Sequence, residues 1–181
     1  PVNPNQIVLN PAPTAATTAQ TNGARWTQAI HDYVKGIGPT MTQIDPLITV
    51  NVNLAQTCNA FFSGSTINFC SAGGGCNNTA FSTVITHEWG HGLDARYGGL
   101  TNNAGDGLSE AWGDIVAMYC SDDPGVGLGM NTAGVPIRSG NNGTRYPPPQ
   151  EVHDAGEVFM GFAWQLRDRL AATLGSRAAA I

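Results

Sequence analysis

The feature that most constrains this chain is an HExxH motif at residues 87–91. On an α-helix, residues i and i+4 share a face, so His87 and His91 can both offer an imidazole nitrogen to one ion. Eighteen residues separate His91 from Glu110, a third candidate ligand on a second predicted helix. Two neutral imidazoles and one carboxylate suit Zn²⁺ and leave a fourth position open to water. A structural zinc site would instead favour closed, Cys-rich coordination.

Two further acids complete the predicted centre. Glu88 is adjacent to the first ligand, so its carboxylate can reach a metal-bound water as a general base. Asp114 follows Glu110 by four residues and therefore lies on the same helix face, where it can accept the other ring N–H of a ligating histidine. The surrounding residues of this helix are largely apolar, which argues against an ordinary solvated acidic face. The pattern predicts a zinc peptidase.

Composition excludes several classes of partner. The chain has 181 residues, which suits one domain, and a formal net charge of −5 with eight Lys and Arg. Nucleic acid and anionic membranes are therefore poor candidate partners. No apolar run reaches transmembrane length, so membrane insertion is not expected. The first residues lack a charged segment followed by an apolar one, which predicts a mature fragment or a catalytic segment of a longer chain with other domains.

The cysteine count predicts an oxidising compartment. Four cysteines form an even set that is compatible with two disulfides, and all three pairings remain open: Cys58, Cys70, Cys76 and Cys120. No CxxC pair supports a cysteine zinc site instead. We therefore expect a secreted, extracellular protein.

The pattern of apolar residues predicts an α+β fold. Residues 1–20 read as an extended lead-in to one catalytic domain that spans residues 1–181. Apolar spacing and capping residues predict helices over about 22–36, 79–97, 108–120 and 152–174. Alternation predicts strands over about 48–54, 58–62 and 66–70. We expect a small antiparallel sheet packed on the helix that carries the HExxH motif, with further C-terminal helices.

Three other segments accompany the motif in a fixed order. They are Asn59–Phe62, Pro136–Ser139 and Val152–Glu157. Together with HExxH and Glu-x-x-x-Asp, they resemble the thermolysin-like and fungalysin-like families of gluzincin metallopeptidases over about residues 58–170. The resemblance implies a zincin-like fold and a zinc-dependent endopeptidase that acts on peptide or protein substrates.

The resemblance also implies individual roles. One Zn²⁺ would be held by His87, His91 and Glu110, with Glu88 and His153 as catalytic residues. His153 would donate a hydrogen bond to the developing oxyanion. An extended peptide substrate would pair with the edge strand at Asn59 and Ala60. Arg138 would donate a hydrogen bond to a carbonyl of that substrate.

The chain departs from the family pattern at several points. The third ligand stands one residue nearer to the second histidine than in thermolysin-like enzymes. Ser109 stands where the family has an asparagine. The carboxylate that orients the catalytic histidine is displaced, with Glu151 or Asp154 as its candidate replacement. Acids that would bind structural calcium are sparse, with only Asp122–Asp123 nearby, so the sequence gives calcium little support.

Two rival functions fit parts of the pattern. The spacing from His91 to Glu110 equally suits gluzincin aminopeptidases. Those enzymes need an anionic site for the free amine of the substrate, typically with a Gly-x-Met-x-Asn-like strand, and no such strand appears in the sequence. A non-catalytic domain could use the same cleft to bind peptide without cleaving it. The intact Glu88 argues against this second alternative, because peptide binding alone requires no general base.

Overall fold

The structure is a computed structural model that describes residues 12–100, 106–148 and 150–176. Within these residues the fold is α+β, with four α-helices and a small mixed sheet. The helices are α1 (Ala15–Ile37), α2 (Ser82–Arg96), α3 (Leu108–Ser121) and α4 (Val152–Leu174). The strands are β1 (Thr49–Leu54), β2 (Ala60–Ser63), β3 (Thr66–Cys70), β4 (Gly125–Val126) and β5 (Arg138–Ser139).

The three-stranded sheet is mixed, so the prediction of an antiparallel sheet is wrong in one pairing. The strand order is β1-β3-β2, and β2 pairs antiparallel with β3 through a tight hairpin at Gly64. β1 pairs parallel with β3, from Thr49 opposite Thr66 onward. The reason is that β3 inserts between the two earlier strands. It must run opposite to its hairpin partner β2, and this direction is the one that β1 already has.

The sheet packs on α2, as predicted, through β2 and β3, and α1 packs on β1. Ile67 and Phe69 of β3 are fully buried against Val84 and Ile85 of α2, in a cluster that also includes Ala19 of α1. Burying a large apolar side chain of this kind contributes about 1.5–3 kcal/mol. The motif helix is thus held from the sheet side by apolar burial, which leaves its other faces for α1 and α3.

The helix boundaries agree with the sequence at the C-terminal end of the chain and differ at the N-terminal end. α3 and α4 begin where they were predicted, and α4 ends at Gly175 with φ 78°. α1 begins seven residues earlier than predicted because Thr14 and Thr17 form a capping box, so residues 15–20 are helical rather than extended. Residues 1–11 of the predicted lead-in lie outside the described part.

The start of α2 was also predicted too early. α2 begins at Ser82 after Phe81, and no side chain caps it. Thr79, a predicted capping residue, is fully buried and has other partners: its hydroxyl donates to the Asn59 carbonyl and accepts from the Cys70 amide. Thr79 therefore ties the loop before the motif helix to the ends of β2 and β3, and this tertiary role replaces the local cap.

Two glycines set the close crossing of α2 and α3. A Cβ added to Gly90 would lie 3.0 Å from the Cα of Gly113, and one added to Gly113 would lie 2.8 Å from the His87 ring. Glycine costs about 1 kcal/mol relative to alanine inside a helix. Here the absence of side chains at these two positions lets the helix backbones approach closely. The close approach brings together the two helix faces that carry the predicted ligands.

One predicted disulfide forms and the second does not. Cys58 and Cys76 are bonded, whereas Cys70 and Cys120 are free. Cys70 is buried at the end of β3, while Cys120 packs in a separate cluster with α1 and α2, so the two thiols belong to different parts of the core. Among the described residues, no helix combines the length and apolar character needed to span a membrane.

Candidate metal centre

The side chains of His87, His91 and Glu110 converge at the crossing of α2 and α3. The two Nε2 atoms are 3.1 Å apart, and the Glu110 Oε2 atom lies 3.3 Å from His87 Nε2 and 3.6 Å from His91 Nε2. All three groups are largely buried, with side-chain exposures of 7%, 14% and 9%. This group could hold a metal ion.

The spacing of these atoms fits a small tetrahedral ion. Metal–ligand bonds of about 2.0–2.1 Å at tetrahedral angles place neighbouring ligand atoms about 3.3 Å apart. The three distances in the structure fall around that value. Among the described residues three protein atoms converge, so the arrangement corresponds to the open type of site rather than the closed structural type.

Hydrogen bonds to the other ring nitrogens orient both histidines. His87 Nδ1 lies 2.8 Å from Asp114 Oδ1, and a carboxylate can only accept, so this nitrogen donates. His91 Nδ1 lies 3.2 Å from Ser109 Oγ, whose own hydroxyl donates to Asp94 Oδ2 at 3.2 Å. Both Nδ1 atoms are therefore donors, and the two Nε2 atoms point towards each other and towards Glu110.

The electrostatics describe the protein before it binds a metal. Burial lowers the pKa of His87, but Asp114 and Glu110 raise it more strongly, to about 10. Burial acts to raise the pKa of Glu110, yet hydrogen bonds from both histidines hold it well below its ordinary value. A metal ion entering this group would displace the His87 proton, because only the neutral imidazole is a ligand.

Asp114 links the centre to Arg138. The Asp114 carboxylate is fully buried and accepts from Arg138 Nε at 2.7 Å and Nη2 at 2.8 Å, in addition to His87. Burial alone would raise the pKa of Asp114, but Arg138 and His87 lower it to about 2. Both described Arg138 hydrogen bonds go to Asp114, so in this structure Arg138 acts on the centre through that carboxylate.

Glu88 lies at the floor of a cleft formed by two adjoining cavities of about 460 and 450 Å³. The two cavities share five of their lining residues: Asn59, Ala60, His87, Glu88 and His153. Glu88 is only 5% exposed, and burial raises its pKa while electrostatic interaction with the neighbouring histidines opposes that rise. The open edge of β2 thus faces the motif helix across the cleft.

His153 stands at the opposite side of the cleft on the first turn of α4. Its Nε2 atom lies 3.3 Å from Glu110 Oε2, and its Nδ1 atom lies 2.8 Å from Glu151 Oε1. Glu151 also caps α4, since its other oxygen accepts from the amides of His153 and Asp154. Of the two candidate carboxylates, Glu151 is therefore the one that orients this histidine.

Two residues of the centre were not singled out from the sequence. Asp94, the acceptor behind Ser109, follows His91 by three residues and so shares its helix face. That spacing was the available signal. Gly113 gave no signal of its role, because its contact with His87 depends on how α3 crosses α2.

Comparison with known proteins adds no relative to this description. No family model matches the chain, and no curated protein is significantly similar to it.

Proposed function

We propose that this chain is a secreted, zinc-dependent endopeptidase with a zincin-like fold, similar to the thermolysin-like and fungalysin-like gluzincins. The observation that carries the proposal is the convergence of His87, His91 and Glu110, with Glu88 buried beside them on the floor of an open cleft. The Cys58–Cys76 disulfide is compatible with an oxidising compartment.

The donor set favours zinc over other common ions. Calcium and magnesium prefer six or more oxygen ligands, whereas this group supplies two nitrogens and one carboxylate. Bound Zn²⁺ would polarise the scissile carbonyl and lower the pKa of the attacking water. Asp114 and Ser109 would keep both histidines in the tautomer that ligates through Nε2.

Glu88 is the general base in this proposal. Its carboxylate accepts a proton from the water that attacks the peptide carbonyl and then returns it to the departing amine. Glu88 is buried between the two cavities, so the proton is transferred away from bulk solvent. Because the carboxylate is regenerated when the proton passes to the amine, water and the peptide are the only reactants consumed.

His153 is the proposed electrostatic catalyst. Its Nδ1–H donates to Glu151, so a hydrogen bond from Nε2 to the carbonyl oxygen requires the doubly protonated ring. Removing one such donor typically costs about 10²–10³ in rate.

The form of the cleft favours cleavage inside a chain. Cavities lie on both sides of Glu88, and the open edge of β2 offers backbone groups at Asn59 and Ala60 for an extended peptide. An aminopeptidase needs a closed end with a group that binds the free amine, whereas this cleft can accept residues on both sides of the cleaved bond.

The test is hydrolysis of internally quenched peptides with blocked ends. Wild-type protein should cleave them, and activity should be lost in Glu88→Gln, lost on chelation and restored by zinc. Cleavage confined to peptides with a free N-terminus would favour the aminopeptidase alternative. Zinc binding without hydrolysis of any peptide would favour the peptide-binding domain.

A further inference from the structure

The Cys58–Cys76 disulfide forms part of the wall of the larger cavity beside Glu88. Both cysteines line that cavity together with Arg138 and His153. The bond joins segments that are eighteen residues apart, and neither cysteine belongs to α2 or α3, which supply the ligands. The role inferred for it here rests on the proposed peptidase function.

One end of the disulfide is attached to the strand edge that faces the cleft. Cys58 directly precedes Asn59 and Ala60, where β2 begins. It has a positive φ of 56°, a conformation that few non-glycine residues adopt, so the chain turns sharply there. Fixing Cys58 therefore fixes the point from which β2 enters the cleft.

The other end is attached to the loop that forms the opposite wall. Cys76 forms a β-bridge with Asn131, and the Asn77 amide donates to the Met130 carbonyl at 2.8 Å. The Asn77 side chain donates to the Gly129 carbonyl, also at 2.8 Å, and the Thr132 amide donates to Gly75. The segment 73–77 thus holds the loop 127–132, of which three residues line the cavity: Gly127, Met130 and Asn131.

We propose that the disulfide is a positioning element that sets the distance between β2 and the loop 127–132. In this role it determines the size of the substrate side chain that the cavity accepts beside the cleaved bond. The metal centre is formed by other elements: among the described residues, the backbone hydrogen bonds of the segment 73–77 run within the segment and to the loop 127–132 rather than to α2 or α3. Loss of the disulfide should therefore relax the choice of substrate and leave the chemical step intact.

The loop offers a direct physical reason for this division. The described part of the loop forms no helix or named strand. Its backbone bonds run chiefly to the segment 73–77, with one bond inside the loop from the Met130 amide to the Gly127 carbonyl and one from the Gly127 amide to Thr83 Oγ1. Segments with few hydrogen bonds to the rest of the fold are the ones that open locally most readily. Without the covalent link, the segment 73–77 can move away from β2 and open its hydrogen bonds to the loop, which exposes the amides of Asn77 and Thr132.

The experiment uses the full chain with Cys58→Ser and Cys76→Ser together, and Cys120→Ser as the matched control for losing a cysteine elsewhere. Amide hydrogen exchange at Asn77 and Thr132 should accelerate by about tenfold or more in the double variant and stay unchanged in the control. On blocked peptides that differ only in the residue after the cleaved bond, from Ala to Trp, selectivity in kcat/KM should fall about tenfold. Values of kcat should remain within about threefold.

A second variant keeps the test decisive if the double variant loses structure throughout. Asn77→Ala removes only the side-chain bond to Gly129, so it should relax selectivity in the same direction but by a smaller factor, about two- to threefold. Unchanged exchange in the double variant, or unchanged selectivity in Asn77→Ala after global unfolding of the double variant, would overturn the proposal. A wild-type protein that cleaves no peptide would overturn the peptidase function as well, whereas an active wild type with disulfide-independent selectivity would overturn this inference alone.

Discussion

Asp114→Asn should destabilise the protein strongly although it keeps the shape of the side chain. The Asp114 carboxylate is fully buried and bonded to Arg138 and His87. Its pKa falls from 3.8 to about 2 despite burial, because Arg138 and His87 stabilise the charged form. That shift corresponds to about 2.5 kcal/mol, and breaking one partner of a buried ion pair typically costs about 3–5 kcal/mol. We expect a loss of about 2–5 kcal/mol in the free energy of unfolding.

The assay is urea unfolding of metal-free protein at pH 7, which avoids the added stability of a bound ion. Asp32→Asn serves as the control, because Asp32 is 64% exposed on α1 and should change the stability by less than about 0.5 kcal/mol. Zinc affinity of Asp114→Asn should also fall about 10–100-fold, since the variant weakens the partner of His87.

The pH dependence gives an independent check on the same prediction. A carboxylate whose folded pKa is lowered contributes stability that is complete above its unfolded pKa of 3.8. That contribution is lost as the pH falls through about 2, so the gap between wild type and variant should narrow only below about pH 4. A difference under about 0.5 kcal/mol at pH 7, or one that stays constant down to pH 2, would refute the reasoning.

Two further predictions concern the neighbours of the centre. Gly113→Ala should weaken zinc binding and lower the free energy of unfolding, because its Cβ would lie 2.8 Å from the His87 ring. The control Gly36→Ala, which has open space around the new Cβ, should raise the free energy of unfolding by up to about 1 kcal/mol. Increased stability of both variants in thermal unfolding would contradict the close crossing. Glu151→Gln should lower kcat about 10–100-fold with little change in KM, since it weakens the hydrogen bond that fixes the orientation of the His153 ring. Steady-state kinetics checks this, and an unchanged kcat would remove Glu151 from the account.

The candidate ligands could be predicted from the sequence because they depend on local geometry. The i, i+4 spacing of His87 and His91 follows from the helix itself, and the same holds for Glu110 and Asp114 on α3. The apolar pattern and the terminal Gly175 likewise define α4 before any tertiary contact is known. These features need only one element at a time.

Features that depend on two elements were predicted less well. The parallel pairing of β1 with β3 follows from the insertion of β3 into the sheet, which alternation within a strand does not encode. Thr79 is a residue type that often caps helices, but here it is buried and bonds the Asn59 carbonyl. Cys70 and Cys120 both remain free thiols. In each case a contact distant in sequence decided the outcome. The assignment of the chain to one domain stays a prediction.

X-ray absorption at the zinc edge would test the central claim most directly. Purified wild-type protein loaded with one equivalent of Zn²⁺ should show one tightly bound ion per chain, with nitrogen and oxygen ligands at about 2.0–2.2 Å and imidazole scattering from two rings. His87→Ala should abolish this signal, while His31→Ala, on α1 beside Asp45, should retain it. Sulfur ligands near about 2.3 Å, or zinc that stays bound to His87→Ala in the same way, would contradict the account.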